Sequence, residues 1–189
     1  MTTMSEARPK TPEEKLLEVE RTEPTVDVKL MYGQTMISVE LPHGCRGYGI
    51  IYAKKHGQIE LRLASIKVPE ELQGKEIGTR ITREILKAAR SFNVALLSAN
   101  TISSGGLRTF VRITGKDNLS FHKPYPHPED DPEGAERARM EAEFPRPIMQ
   151  MTFEEAIIFL DAQNPEADRM GVDVSAPLPE EFKAKEYIN

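Results

Sequence analysis

Tryptophan is absent from the 189 residues, cysteine occurs once, at Cys45, and no apolar run is long enough to span a bilayer. A lone thiol excludes an internal disulfide and agrees with a reducing, cytoplasmic setting. Residues 1–10 show neither a basic patch with an apolar block nor a small-residue cleavage site, so no secretory leader is expected. Metal-binding residues are sparse as well. His43-x-Cys45 and the pair His122 and His127 are two-ligand fragments, short of the four donors that a structural zinc site uses, and no metal is expected.

What is present describes a globular chain: 39% hydrophobic and 29% charged residues, enough for one domain with a real core, or a domain with an appendage. The net charge of -5 is unevenly spread. Residues 1–120 carry +4 and residues 121–189 carry -9. A mildly basic body suits an anionic small ligand, whereas the acidic region repels phosphate backbones, so no nucleic-acid partner is expected.

Along the chain, residues 1–24 read as a mobile arm with a short helix opened by Thr11 and Pro12. From Thr25 the period becomes two. Val26, Val28 and Leu30, then Ile37, Val39 and Leu41, alternate with polar residues on either side of Tyr32-Gly-Gln34, which predicts a hairpin. Residues 48–53 predict a third strand and residues 58–68 a fourth. In the fourth the alternation slips: Ile59, Leu61 and Leu63 hold one phase, Ile66 and Val68 the other, which places a β-bulge at Ala64-Ser65.

After Pro69 comes a turn, Gln73-Gly-Lys-Glu-Ile-Gly78, then an amphipathic helix whose apolar stripe includes Ile77, Ile81 and Ile85. Arg80, Arg83, Lys87 and Arg90 form a basic stripe on another face, whose first members can attract a phosphate. Residues 94–97 are a continuous apolar run, as expected of a strand buried on both faces and parallel to the one before the helix. Glycines in a turn at a helix start let backbone N–H groups approach an anion, so this βαβ unit reads as a cofactor site. A short helix over residues 107–114 and a strand over 119–122 follow.

Beyond Lys123 the composition changes, with nine of the 14 prolines after that point. Residues 134–144 read as a charged helical segment and residues 147–151 as one more strand. Residues 152–163 read as a helix with a capping box of Thr152 and Glu155. The remainder reads as an extended, loosely docked tail. The domain reading is therefore an arm (1–24), a core (25–123) and an acidic extension (124–189).

The order of these elements, with a strand ending Ile66-Lys-Val-Pro69 before Gln73-Gly-Lys-Glu-Ile-Gly78, resembles the GNAT superfamily of acyl-CoA-dependent N-acyltransferases, whose motif is Gln/Arg-x-x-Gly-x-Gly/Ala. The resemblance covers residues 26–122. It implies an α+β fold, a mixed sheet of six or seven strands around a central βαβ unit. It implies acetyl-CoA as cofactor, its pantetheine arm on the backbone of Ile66 and Val68, and its pyrophosphate surrounded by Gln73, Gly74, Lys75, Ile77, Gly78 and Thr79. Glu76 stands where the family has its first motif glycine. Phe110-Val111 replaces the Phe-Tyr that supplies a proton in many active members, and Gly33-Gln34 leaves no room for the helices that usually separate the first two strands.

Three polar residues near the cleft are catalytic candidates: Glu60 on the bulged strand as general base, and Ser98 and Asn100 at the end of the second parallel strand. The leading expectation is transfer of an acetyl group from acetyl-CoA to an amine. The alternative is a GNAT-fold protein without catalysis, acting as a structural or interaction component of a larger assembly, such as a viral particle. In that case the helix over 152–163 buries its apolar face on a protein partner or a second copy.

Overall fold

Alternation at period two makes the first third of the chain a meander. Strand β1 (Thr25–Met31) turns through Tyr32 and Gly33, both with positive φ (52° and 77°), into β2 (Gln34–Glu40). Such a two-residue turn matches the right-handed twist of the strands that it joins. β3 (Arg46–Ala53) and β4 (Ile59–Lys67) continue the antiparallel order. This computed structural model describes residues 8–53, 57–99, 102–122, 150–151, 153–162 and 173–184. The helical segment expected over 134–144, Thr152, His127 and Asn100 lie outside the described residues.

The phase slip in β4 is a real bulge. Tyr48 pairs with Ser65 but Gly49 pairs with Leu63, so Ala64 is the extra residue. Up to Leu63 the odd-numbered residues of β4 face the core; past the bulge Ile66 takes over that side. The helix over it, α2 (Ile77–Ala89), buries Ile77, Ile81, Ile85 and Ala89. It lies very close to β3. A Cβ on Gly47 would sit 2.6 Å from Ile81 Cγ2, and one on Gly49 3.1 Å from Ile85 Cγ2, so glycine at these two strand positions is what admits the helix. The crossover through α2 then delivers β5 (Leu96–Ala99) parallel to β4. This is the mixed α+β sheet with a central βαβ unit expected from the sequence.

Helix α3 (Ser104–Thr114) is capped by Ser103, which accepts from the Gly106 N–H at 3.2 Å, and stops at Gly115 with φ 80°. It leads to β6 (Ser120–His122). The described remainder comprises β7 (Gln150–Met151), α4 (Phe153–Ala162) and β8 (Asp173–Pro177). The described residues form eight strands, in the order β1-β2-β3-β4-β5-β8-β6-β7.

Three expectations are corrected here. The stretch read as a loosely docked tail instead supplies β8, which fills the gap between β5 and β6, antiparallel to both. Val174, Ala176, Leu178 and Phe182 are core residues, so the sheet does not end with an extension at residue 123. Its hidden signal was the alternation Val174, Ala176, Leu178, obscured by Pro177 and Pro179. The apolar face of α4 is also taken up internally: Ala156 and Leu160 are buried in the same core, with Phe153 and Ile157 packed against it.

The arm is the third correction. Helix α1 (Pro12–Arg21) starts at Thr11 and Pro12 as expected, with a capping box of Thr11 and Glu14, but it is docked, with Val19 buried. Arg80 of α2 donates to the Val19 and Thr22 carbonyls at 2.6 and 2.8 Å, satisfying groups that the end of α1 leaves open. Lys15 pairs with Glu71 at 2.9 Å and His43 Nε2 lies 3.0 Å from Glu18.

Candidate functional site

Strands β4 and β5 run side by side only over Glu60–Leu96, Leu61–Leu97 and Arg62–Ser98. Beyond that point β5 ends, whereas β4 continues through its bulge to Lys67, paired with β3 alone among the described strands. The two described strands part there. On one side is the edge of β4 after the bulge, which has no partner there among the described strands and where Ile66 and Val68 are half-buried. Gln73 leans back on this edge, its Nε2 donating to the Val68 carbonyl at 3.1 Å.

On the other side is the start of α2. A short turn, Glu70–Leu72, anchored by buried Leu72, brings the chain to Gly74 with φ 73° and to Glu76 with φ 61°. Glu76 is the N-cap residue but its side chain caps nothing. The first helical bond is Arg80 N–H to the Glu76 carbonyl at 3.0 Å, leaving the N–H groups of Ile77, Gly78 and Thr79 outside the ladder. Thr79 Oγ1 is buried and has no hydrogen-bond partner among the described residues. Gly78 keeps the approach open. A Cβ there would lie 3.7 Å from both Ile66 Cγ2 and Thr109 Oγ1, which ties this helix end to that edge of β4 and to α3.

One side chain from α3 completes the neighbourhood and was missed by sequence reasoning, and a second, Val111, was anticipated. Arg112 Nη1 lies 3.5 Å from Glu76 Oε1, with both side chains largely in water. The carboxylate that stands in place of a glycine is thus partly offset by a cation from another element. No local signal links the two residues, because α3 is placed by packing rather than by sequence proximity. Val111, half-buried on the same helix, offers no hydroxyl.

Glu60 and Ser98 do come together, on the paired side of the point where the strands part. Ser98 Oγ donates to Glu60 Oε1, and Arg62 donates to the same oxygen from Nε at 3.1 Å and Nη2 at 2.9 Å. Arg62 also lies over the Tyr52 ring, 4.8 Å from its centroid. Glu60 is 0% exposed. This is a closed polar cluster that locks β4 to β5, with its anion held by a guanidinium and a hydroxyl.

The basic stripe of α2 is mostly spent on the chain itself. Arg80 closes α1, Lys87 pairs with Glu84 at 2.7 Å and Arg90 Nε donates to the Lys183 carbonyl at 2.7 Å. Lys75 is exposed at the turn. Cys45 is buried, and burial, then the charge of Glu71, pushes its thiol up, away from the thiolate form. Among the described residues no group of three His, Cys, Asp or Glu is placed to hold a metal ion, and no helix is long and apolar enough to cross a membrane.

No protein-family profile matches the chain, and no curated protein does. Among the solved structures similar to it are two bacterial proteins. One is the N-acetylglutamate synthase of Neisseria gonorrhoeae, complexed with coenzyme A and N-acetyl-glutamate, at 14% identity and TM-score 0.37. The match takes in 76% of this chain but only 26% of that longer one. The other is the IAA acetyltransferase of Bacillus cereus, at 13% identity and TM-score 0.39, covering 77% of this chain and 78% of that one. What this chain can do is therefore taken from its own residues.

Proposed function

We propose that the chain binds acetyl-CoA where β4 and β5 part and transfers the acetyl group to an amine, as an N-acyltransferase of the GNAT type. The observation that carries this reading is the uncapped start of α2 beside the freed edge of β4. Helix N–H groups without acceptors and a buried Thr79 hydroxyl without a partner among the described residues fit the oxygens of a pyrophosphate.

The N–H groups of Ile77, Gly78 and Thr79 would hold that pyrophosphate, with Gly74 and Gly78 permitting close approach and Lys75 adding charge. Arg112 keeps Glu76 from acting as a bare anion beside it. The backbone edge at Ile66 and Val68 would align the pantetheine arm, and Gln73 fixes the Val68 peptide plane through its carbonyl. When bound, the thioester supplies an activated acyl group whose C–S bond is exchanged for an amide C–N bond, the thiolate taking the proton that the amine gives up. A backbone N–H near Val68 would steady the carbonyl oxygen as charge develops on it.

One observation favours a second reading, a CoA-fold protein that does not catalyse and serves as a structural or interaction component. Glu60 is sealed from solvent and Val111 carries no acid, so neither offers a proton-transfer group to the site. Calorimetry with acetyl-CoA, paired with an assay for thiol release in the presence of polyamines and lysine peptides, separates the two. Binding that weakens by about tenfold or more in Gly78→Trp, with thiol release, is the expected result. Binding without release of thiol selects the second reading. Absence of binding to the native chain overturns the site itself.

A further inference from the structure

β1 is the outermost strand of the sheet, and among the described strands none pairs with its far side. The two-residue turn makes Met31 and Gln34 the closing pair of the hairpin. Peptide groups alternate along an antiparallel strand, so those of Lys29 and Asp27 also face β2, while those of Val26, Val28 and Leu30 face outward. The side chains of these three residues share one face of the sheet and are 41, 45 and 78% exposed. Asp27 and Lys29 lie on the opposite face, where they form an ion pair along the strand.

This pattern is complementary to itself. We propose that two copies of the chain pair antiparallel through β1 about a two-fold axis at Val28, joining their sheets into one. In that register Val28 exchanges both hydrogen bonds with Val28 of the other copy, and Val26 does so with Leu30. The apolar side chains then form one strip across the junction. On the other face Asp27 meets Lys29, twice, by symmetry.

Competing registers are excluded by the same residues. Moving the axis one residue in either direction sets Asp27 against Asp27 or Lys29 against Lys29. Moving it by two loses both charge pairs and runs a bonding position into Pro24, which has no N–H, or into the turn at Tyr32. A lone lysine on an edge strand discourages pairing. Here its neighbour of opposite charge removes that protection and selects the register. A single strand junction buries less than a standard interface, so a reversible dimer in about the micromolar range is expected.

Sedimentation of the full chain over a concentration series tests this. Asp27→Lys and Lys29→Asp each place like charges opposite and should weaken the dimer roughly tenfold. Mixing these two variants should restore association as a heterodimer, and the double swap D27K/K29D should restore the homodimer. Val28→Pro, which removes an outward N–H without touching the β2 ladder, should give a folded monomer by circular dichroism. A native chain that stays monomeric at all concentrations, or a dimer indifferent to the charge changes, overturns the proposal.

Discussion

Glu60 is where a catalytic role and a packing role lead to different measurements. A general base that is removed costs turnover and leaves the fold intact. Here the carboxylate is buried and accepts from Ser98 and Arg62, so Glu60→Ala should destabilise the fold by about 3 kcal/mol in urea unfolding, the lower end for breaking a buried pair. Ser98→Ala should cost about 1 kcal/mol. Unchanged stability of Glu60→Ala with lost thiol release would make it a base instead. The residue itself was legible in the sequence as a polar position of β4. Its burial was not, because its partner Ser98 comes 38 residues later and only the parallel pairing of β4 with β5 brings it within reach. The bulge at Ala64 shows the reverse case: a slip in alternation is written locally, and the register agrees with it.

At the scale of elements, α1 was readable as a helix because its cap, proline and first-turn acids are all local. Its docking was not readable, since it depends on Arg80 and on a buried Val19 meeting surfaces assembled from later parts of the chain. Its exposed ion pairs give it a pH dependence. Hydrogen bonds from Lys10 and then His43 hold the Glu18 carboxyl below its ordinary value, and the bond from Lys15 does the same for Glu71. Folded-state values that are lowered contribute stability above the unfolded value and lose it as pH falls through the lowered folded value. The attachment of α1 should thus weaken on acidification below the usual carboxylate range, seen as faster amide exchange over residues 12–21 before the sheet loosens. Exchange in α1 that only follows global unfolding would refute this.

For the whole molecule, the decisive fact is that the described part of the acidic region is not appended to the sheet but built into it. An assembly role for α4 rested on an apolar face in need of cover, and that face is covered by the chain's own core. Removing everything after residue 143 should therefore unfold the protein rather than release a partner, with loss of the circular dichroism of the sheet. A folded, cooperative 1–143 fragment would contradict this placement of β8. The composition shift at Lys123 marks proline-rich sequence, but composition has no way to say that the chain returns to the sheet.

That return sets an order on self-assembly. The strand between β5 and β6 comes later in the chain than both of its neighbours, so the sheet cannot close by zipping each strand onto the one before it. Until β8 arrives, β5 and β6 have no described strand between them, and their pairing waits on closure of a long loop. During synthesis such a chain holds two sticky, half-finished edges while its closing strand is still being made. Aggregation at that stage, rather than instability of the finished protein, is what should limit the yield of soluble material.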